Sequence, residues 1–98
     1  MKTFVKLYSD VKGEIGKFLN KFYLATEEIL NKVSEDTLEL EIAYENPVEM
    51  SDLIGTFIEN REDFKINMWI CIDKDVLINV TGNNADELIR YLYERFPY

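Results

Sequence analysis

The side chains of this 98-residue sequence that could do covalent chemistry are one cysteine, Cys71, six tyrosines and nineteen carboxylates; histidine is absent. Without histidine, Cys-His and Ser-His-Asp nucleophilic sites cannot be built. The commonest general base and the commonest metal ligand are missing too, and so are zinc sites of Cys/His type. Cys71 would need a lowered pKa to act as a nucleophile. It alternates with apolar residues of a predicted strand and has no basic neighbour in sequence, so an inert, half-buried thiol is expected.

The carboxylates suggest two further chemistries. Asp73-Lys74-Asp75 could attract a divalent cation, but an EF-hand continues with a third oxygen ligand and then glycine. Leu77 and Ile78 stand there instead, and a polar hairpin turn is the better reading. Paired acids can perform glycosidase-type chemistry, yet Asp52, Glu59 and Glu62 have no distinctive spacing. Neither phosphate-binding glycine motif is present. Thr81-Gly82-Asn83-Asn84 leads into a helix N-terminus, but Asp86 and Glu87 already complement the dipole there and would repel an anion. Gly13-Glu14-Ile15-Gly16 has the letters of a KH-domain GXXG loop. It lies inside a helical phase and carries an acid, and is set aside. No catalytic residue, metal site or cofactor is expected.

The charge balance excludes more. Nineteen acids against eleven bases give a net charge of -8, whereas nucleic-acid binders carry a basic patch. The balance is uneven: residues 1–33 hold six lysines and four acids, and the rest holds five bases and fifteen acids. Such asymmetry can orient a partner. A single cysteine allows no intrachain disulfide, which fits a reducing compartment. Lys2, Lys6 and Asp10 interrupt any leader-like apolar run, and no stretch approaches the roughly 20 apolar residues of a membrane span. The expected location is cytoplasmic. Asn79-Val80-Thr81 matches a glycosylation acceptor only formally. Frequent Ile, Asn, Lys, Glu, Phe and Tyr with scarce Ala imply AT-rich codons and hence a bacterial source.

The elements that would position these residues follow from periodicity. Val11, Ile15, Phe18, Leu19, Phe22, Ala25, Ile29 and Val33 keep one helical phase, which predicts a helix from Ser9 or Asp10 to Val33. Gly13 and Gly16 weaken it by roughly 1 kcal/mol each. Phe4 and Tyr8 extend the same spacing backward. Residues 3–8 therefore read as helix, with a β-strand as the alternative because the segment is rich in β-formers. Leu38, Leu40, Ile42 and Tyr44 alternate with Glu39, Glu41, Ala43 and Glu45, a strand with one wet acidic face. Asn46-Pro47-Val48-Glu49 is a capping pattern before a helix through Met50, Leu53, Ile54, Phe57 and Ile58.

Ile66, Met68, Ile70 and Ile72 then alternate along a second strand, and Val76, Ile78 and Val80 along a third. A three-residue loop pairs Ile72 with Val76, Ile70 with Ile78 and Met68 with Val80, so that every partner shares the buried face. Asn84 with Glu87 is a second capping pattern. The last helix carries Ala85, Leu88, Ile89, Leu92 and Phe96, and Pro97 stops it. The expectation is one α+β domain over residues 1–98. Its order is α-β-α-β-β-α, with an extra N-terminal strand if residues 3–8 are extended. Its helices pack on a mostly antiparallel sheet of three to four strands. Strand-helix-hairpin-helix resembles most of a ferredoxin-like unit without its last strand, and many functions share that order.

One face stands out. If the hairpin buries Met68, Ile70 and Ile78, then Trp69, Cys71, Leu77 and Asn79 point the other way, flanked by Glu39 and Glu41. An apolar patch there calls for a cover. The long first helix is the expected one, ahead of a second copy in a homodimer and ahead of a ligand or partner protein. Tyr91 and Arg95 on the last helix form a second candidate contact surface, because aromatics with arginine are common at interfaces. These residues point to a non-enzymatic protein-interaction or regulatory module, acting on an unidentified protein or on a second copy, with no nucleic acid or membrane as partner. The alternatives are a small-molecule-binding regulatory domain and an acidic decoy that mimics nucleic acid.

Overall fold

A computed structural model describes residues 3–21, 27–33, 38–44, 47–72 and 76–95. The order of elements is β1 (Thr3–Tyr8), α1 (Glu14–Lys21), α2 (Glu27–Val33), β2 (Glu39–Tyr44), α3 (Pro47–Asn60), β3 (Asn67–Ile72), β4 (Ile78–Asn79) and α4 (Ala85–Arg95). The strands form one antiparallel sheet in the order β2-β1-β3-β4. This is the α+β domain the periodicity predicts, with the N-terminal strand present.

Residues 3–8 are therefore strand, and the helical reading of them is corrected. Thr3, Val5 and Leu7 are buried while Phe4, Lys6 and Tyr8 are partly exposed, the alternation of an amphipathic strand. The helical reading rested on Phe4 and Tyr8, four residues apart. A spacing of four keeps two residues on one face of a helix, and it also keeps them on one face of a strand.

The single helix expected over residues 9–33 is also corrected. Helix α1 starts only at Glu14, because Gly13 has φ of 86°, in the left-handed region that glycine reaches without steric cost. Ser9 turns the chain out of β1. Its buried hydroxyl donates to the Lys65 carbonyl at 2.6 Å and accepts from the Val11 N–H at 3.0 Å. Its own N–H donates to the Leu38 carbonyl at 2.9 Å. One residue thus ties the end of β1 to the segments that enter β2 and β3. A second helix, α2, follows, and residues 22–26 between the two lie outside the described residues.

Val5, Leu7, Leu40, Ile42, Met68 and Ile70 make the inner face of the sheet. Buried residues of all four helices join them in one hydrophobic cluster: Ile15, Phe18 and Leu19 of α1, Ile29 of α2, Met50, Leu53, Ile54 and Phe57 of α3, Ala85, Leu88 and Leu92 of α4. Phe18 meets Phe57 edge-on at 6.2 Å and Phe64 at 5.5 Å, a favoured geometry for aromatic pairs. Pro47 opens α3 as its fixed φ favours; Asn46 before it lies outside the described residues, as do Phe96 and Pro97.

The hairpin has the predicted register, Ile70 opposite Ile78 and Trp69 opposite Asn79, and the Val80 N–H donates to the Met68 carbonyl at 2.9 Å. Its loop, residues 73–75, lies outside the described residues. Burial differs from expectation. Val80 is in the core, but Val76 is 61% and Ile78 39% exposed, because β4 is a two-residue edge strand with no described strand beyond it. Leu38, expected inside, precedes β2 and is exposed. The likeness to a ferredoxin-like unit ends at element order, since β1 lies between β2 and the β3–β4 hairpin.

Candidate functional site

The other face of the sheet is set by the registers of β1. Directly opposed residues share a face, so one row across the sheet is Glu41, Lys6, Trp69 and Asn79. A second row is Ala43, Phe4 and Cys71, and a third is Glu39, Tyr8 and Asn67. The expected cover for this face, the first helix, is not there. Helices α1 and α2 contribute to the core on the inner side, and no described helix lies over Trp69. This corrects the preferred reading of the patch.

The face has a distinct centre. Lys6, Tyr8, Glu39, Trp69 and Leu77 line a shallow depression of about 270 Å³. Trp69 is half-buried in it, and Leu77 is exposed at its edge. Cys71, which points the same way, is 2% exposed. The thiol is thus more enclosed than expected, a poor position for a nucleophile. Asn79 turns its side-chain amide back to donate to the Met68 carbonyl at 3.1 Å.

The electrostatics are lopsided. The Lys6 ammonium pairs with Glu39 at 3.0 Å, and exposed Glu41 stands opposite it in register. The Tyr8 hydroxyl donates to Asp10 at 2.6 Å. That hydrogen bond holds the phenol above its ordinary pKa, with the Asp10 charge, desolvation and the Glu39 charge acting in the same direction. Three carboxylates, Asp10, Glu39 and Glu41, thus border the strand that carries Lys6 and Tyr8. The arrangement offers an aromatic platform, a small apolar hollow and a negative rim.

The sheet separates the residues singled out in the sequence. Glu39, Glu41, Trp69, Cys71, Leu77 and Asn79 belong to the outer face. Tyr91 and Arg95 lie on α4, beside a wider groove of about 610 Å³ lined with Ile72, Ile78 and Leu88. That groove opens on the helix side of β4. Sequence reasoning missed Phe4, Lys6 and Tyr8, which the strand β1 inserts into the middle of the outer face. Their signal was the alternation of residues 3–8.

Asn84 also departs from expectation. Its carbonyl accepts the Leu88 N–H at 3.0 Å, as an N-cap's should. Its side chain, however, turns towards the strand: Oδ1 accepts the Thr81 N–H at 2.8 Å and Nδ2 donates to the Asn79 carbonyl at 2.7 Å. The amide therefore shields part of the open edge of β4, where unpaired backbone groups would otherwise invite another strand.

Among the described residues no group of three or more potential metal-ligating side chains occurs, and no helix is long and apolar enough to cross a membrane. Comparison of the chain with family models, curated proteins and solved structures finds no match.

Proposed function

We propose that the chain is a non-enzymatic protein-interaction module of a bacterial cytoplasm, and that it engages its partner through the outer face of the sheet around Trp69. The observation that carries this reading is the outer half of the sheet, which no described helix covers at Trp69. All four helices contribute to the core on one side, while the other presents a half-buried tryptophan, an exposed leucine and a polar rim. An apolar patch rimmed by polar groups is the usual form of a protein contact surface, and tryptophan is prominent among residues that dominate binding energy. The groups of this face make contacts: an indole, an ion pair, an amide, an enclosed thiol. A lone, enclosed cysteine suits a reducing compartment.

The test compares partners retained from source-cell extract by the wild type, by Trp69→Glu and by Tyr91→Glu, with circular dichroism confirming that each variant is folded. Proteins lost with Trp69→Glu and kept with Tyr91→Glu support the outer face. The reverse pattern moves the contact to the α4 groove and refutes the assignment.

A further inference from the structure

We infer that the outer face receives a protein segment that presents a Lys or Arg side chain two positions from an apolar one. This inference rests on the reading of that face as an interaction surface and specifies the partner. The first argument is size. Ligand pockets for small molecules span about 300–1,000 Å³ and enclose most of the ligand. The Trp69 depression, at about 270 Å³ and open to one side, suits a single anchoring side chain.

The second argument is charge. Lys6 is already paired with Glu39 at 3.0 Å, and Glu41 and Asp10 add negative charge beside it. A partner that brings cations completes these carboxylates, and the indole plane of Trp69 is itself a favourable neighbour for a cation. An anionic partner, nucleic acid or an acidic membrane, meets repulsion. So does a second copy docked face to face, because the same three carboxylates then oppose one another across the contact.

The third argument is spacing. Neighbouring strands lie about 4.8 Å apart, so Glu41, two strands from Trp69 in the same row, stands about 10 Å from it. Alternate residues of an extended segment are about 6.8 Å apart. A lysine two positions from the apolar anchor spans the remaining distance with its own length. The recognised pattern is basic-x-apolar, read in either chain direction.

The experiment titrates the wild-type chain with three blocked peptides, Lys-Ser-Leu-Ser-Lys, Gln-Ser-Leu-Ser-Gln and Glu-Ser-Leu-Ser-Glu. The emission of Trp69, the chain's single tryptophan, reports binding. The lysine peptide is expected to bind saturably and most tightly. Its affinity should fall as salt rises from about 0.01 M to 0.1 M, where the screening length drops from about 30 Å to 10 Å. Glu39→Gln with Glu41→Gln, both at exposed positions, should weaken it about fivefold. Equal binding of all three peptides overturns the inference while leaving the face an interaction surface. Absence of any binding also overturns it, and the Trp69→Glu comparison above then judges the broader reading separately. A doubled solution mass that the lysine peptide does not reverse assigns the face to a second copy instead.

Discussion

Two glycines inside helices make a matched pair of probes, because alanine gains the same helix propensity at both and meets different surroundings. At Gly55, in α3, an added Cβ would have nothing within 4 Å. Gly55→Ala should therefore stabilise the protein by the propensity difference, about 0.8–1.0 kcal/mol. At Gly16, in α1, the same Cβ would lie 2.9 Å from Val33 Cγ1 of α2. Ordinary carbon contacts are about 3.5–4.0 Å, and valine is stiff about χ1, so it cannot swing aside. Overpacking of this kind costs about 1–3 kcal/mol, which cancels or exceeds the propensity gain. Gly16→Ala should be neutral to destabilising, and should melt below Gly55→Ala by at least about 4 °C for a domain of this size. The assay is thermal unfolding by circular dichroism, with urea unfolding to confirm the order. The comparison discriminates between two arrangements of residues 14–33. In one continuous helix Gly16 and Val33 would be about 25 Å apart at 1.5 Å per residue, and Gly16→Ala would stabilise as much as Gly55→Ala. Equal stabilisation refutes the packing of α2 against α1.

Three further outcomes follow from the outer face and its anchor. Relative to its quenching of free N-acetyltryptophanamide, caesium ion should quench Trp69 fluorescence more strongly than iodide does at equal, low ionic strength, because the carboxylate rim concentrates cations; a normalised preference for iodide would contradict a negative rim. An ultraviolet titration of wild type minus Tyr8→Phe should show Tyr8 ionising above the ordinary phenol value near 10, and Asp10→Asn should lower that midpoint. The sign for stability follows. The folded-state pKa is raised, so Tyr8's contribution is complete below pH 10 and lost as pH climbs through the raised value; stability that rises across that window would refute it. Ser9→Ala removes a buried hydroxyl bonded to Lys65 and Val11. It should cost about 1–2 kcal/mol in urea unfolding, and an unchanged midpoint would show that Ser9 does not tie β1 to its neighbours.

Much of the fold was legible in the residues. Period-two alternation in residues 66–72 and 76–80 placed the hairpin register correctly, because a one-residue slip would have turned Ile70 against Asn79. The outward direction of Glu39 and Glu41 on β2 and of Trp69 on β3 was legible for the same reason. What was not legible has three physical causes. Phe4 and Tyr8 are four apart, a spacing that both periods satisfy, so β1 and its contribution to the candidate face were hidden. The hydrophobic phase of residues 11–33 continues across Gly13, and only the left-handed backbone there separates turn from helix. Val76 and Ile78 carry the inward pattern of a core strand, but at a sheet edge the pattern has too little structure above it to exclude water. Asn84 was read as a cap by type; its amide had two possible sets of partners, and the strand's backbone took it.

The position of β1 imposes an order of events on the chain's birth. Val5 pairs with Ile42 on one side and Ile70 on the other. This strand, made before both of its partners, therefore waits for neighbours synthesised 37 and 65 residues later. At about 5–20 residues per second, the second neighbour arrives roughly 3–13 s after Val5. During that interval Val5 and Leu7, wholly enclosed in the finished protein, have no sheet to enter. Loop closure over such separations is slow relative to local helix formation, so the helices form early and the sheet closes last. Losing β1 would leave β2 and the β3–β4 hairpin with no strand between them. Residues 3–8 thus hold a veto over the assembly of a sheet whose other strands are all made after them.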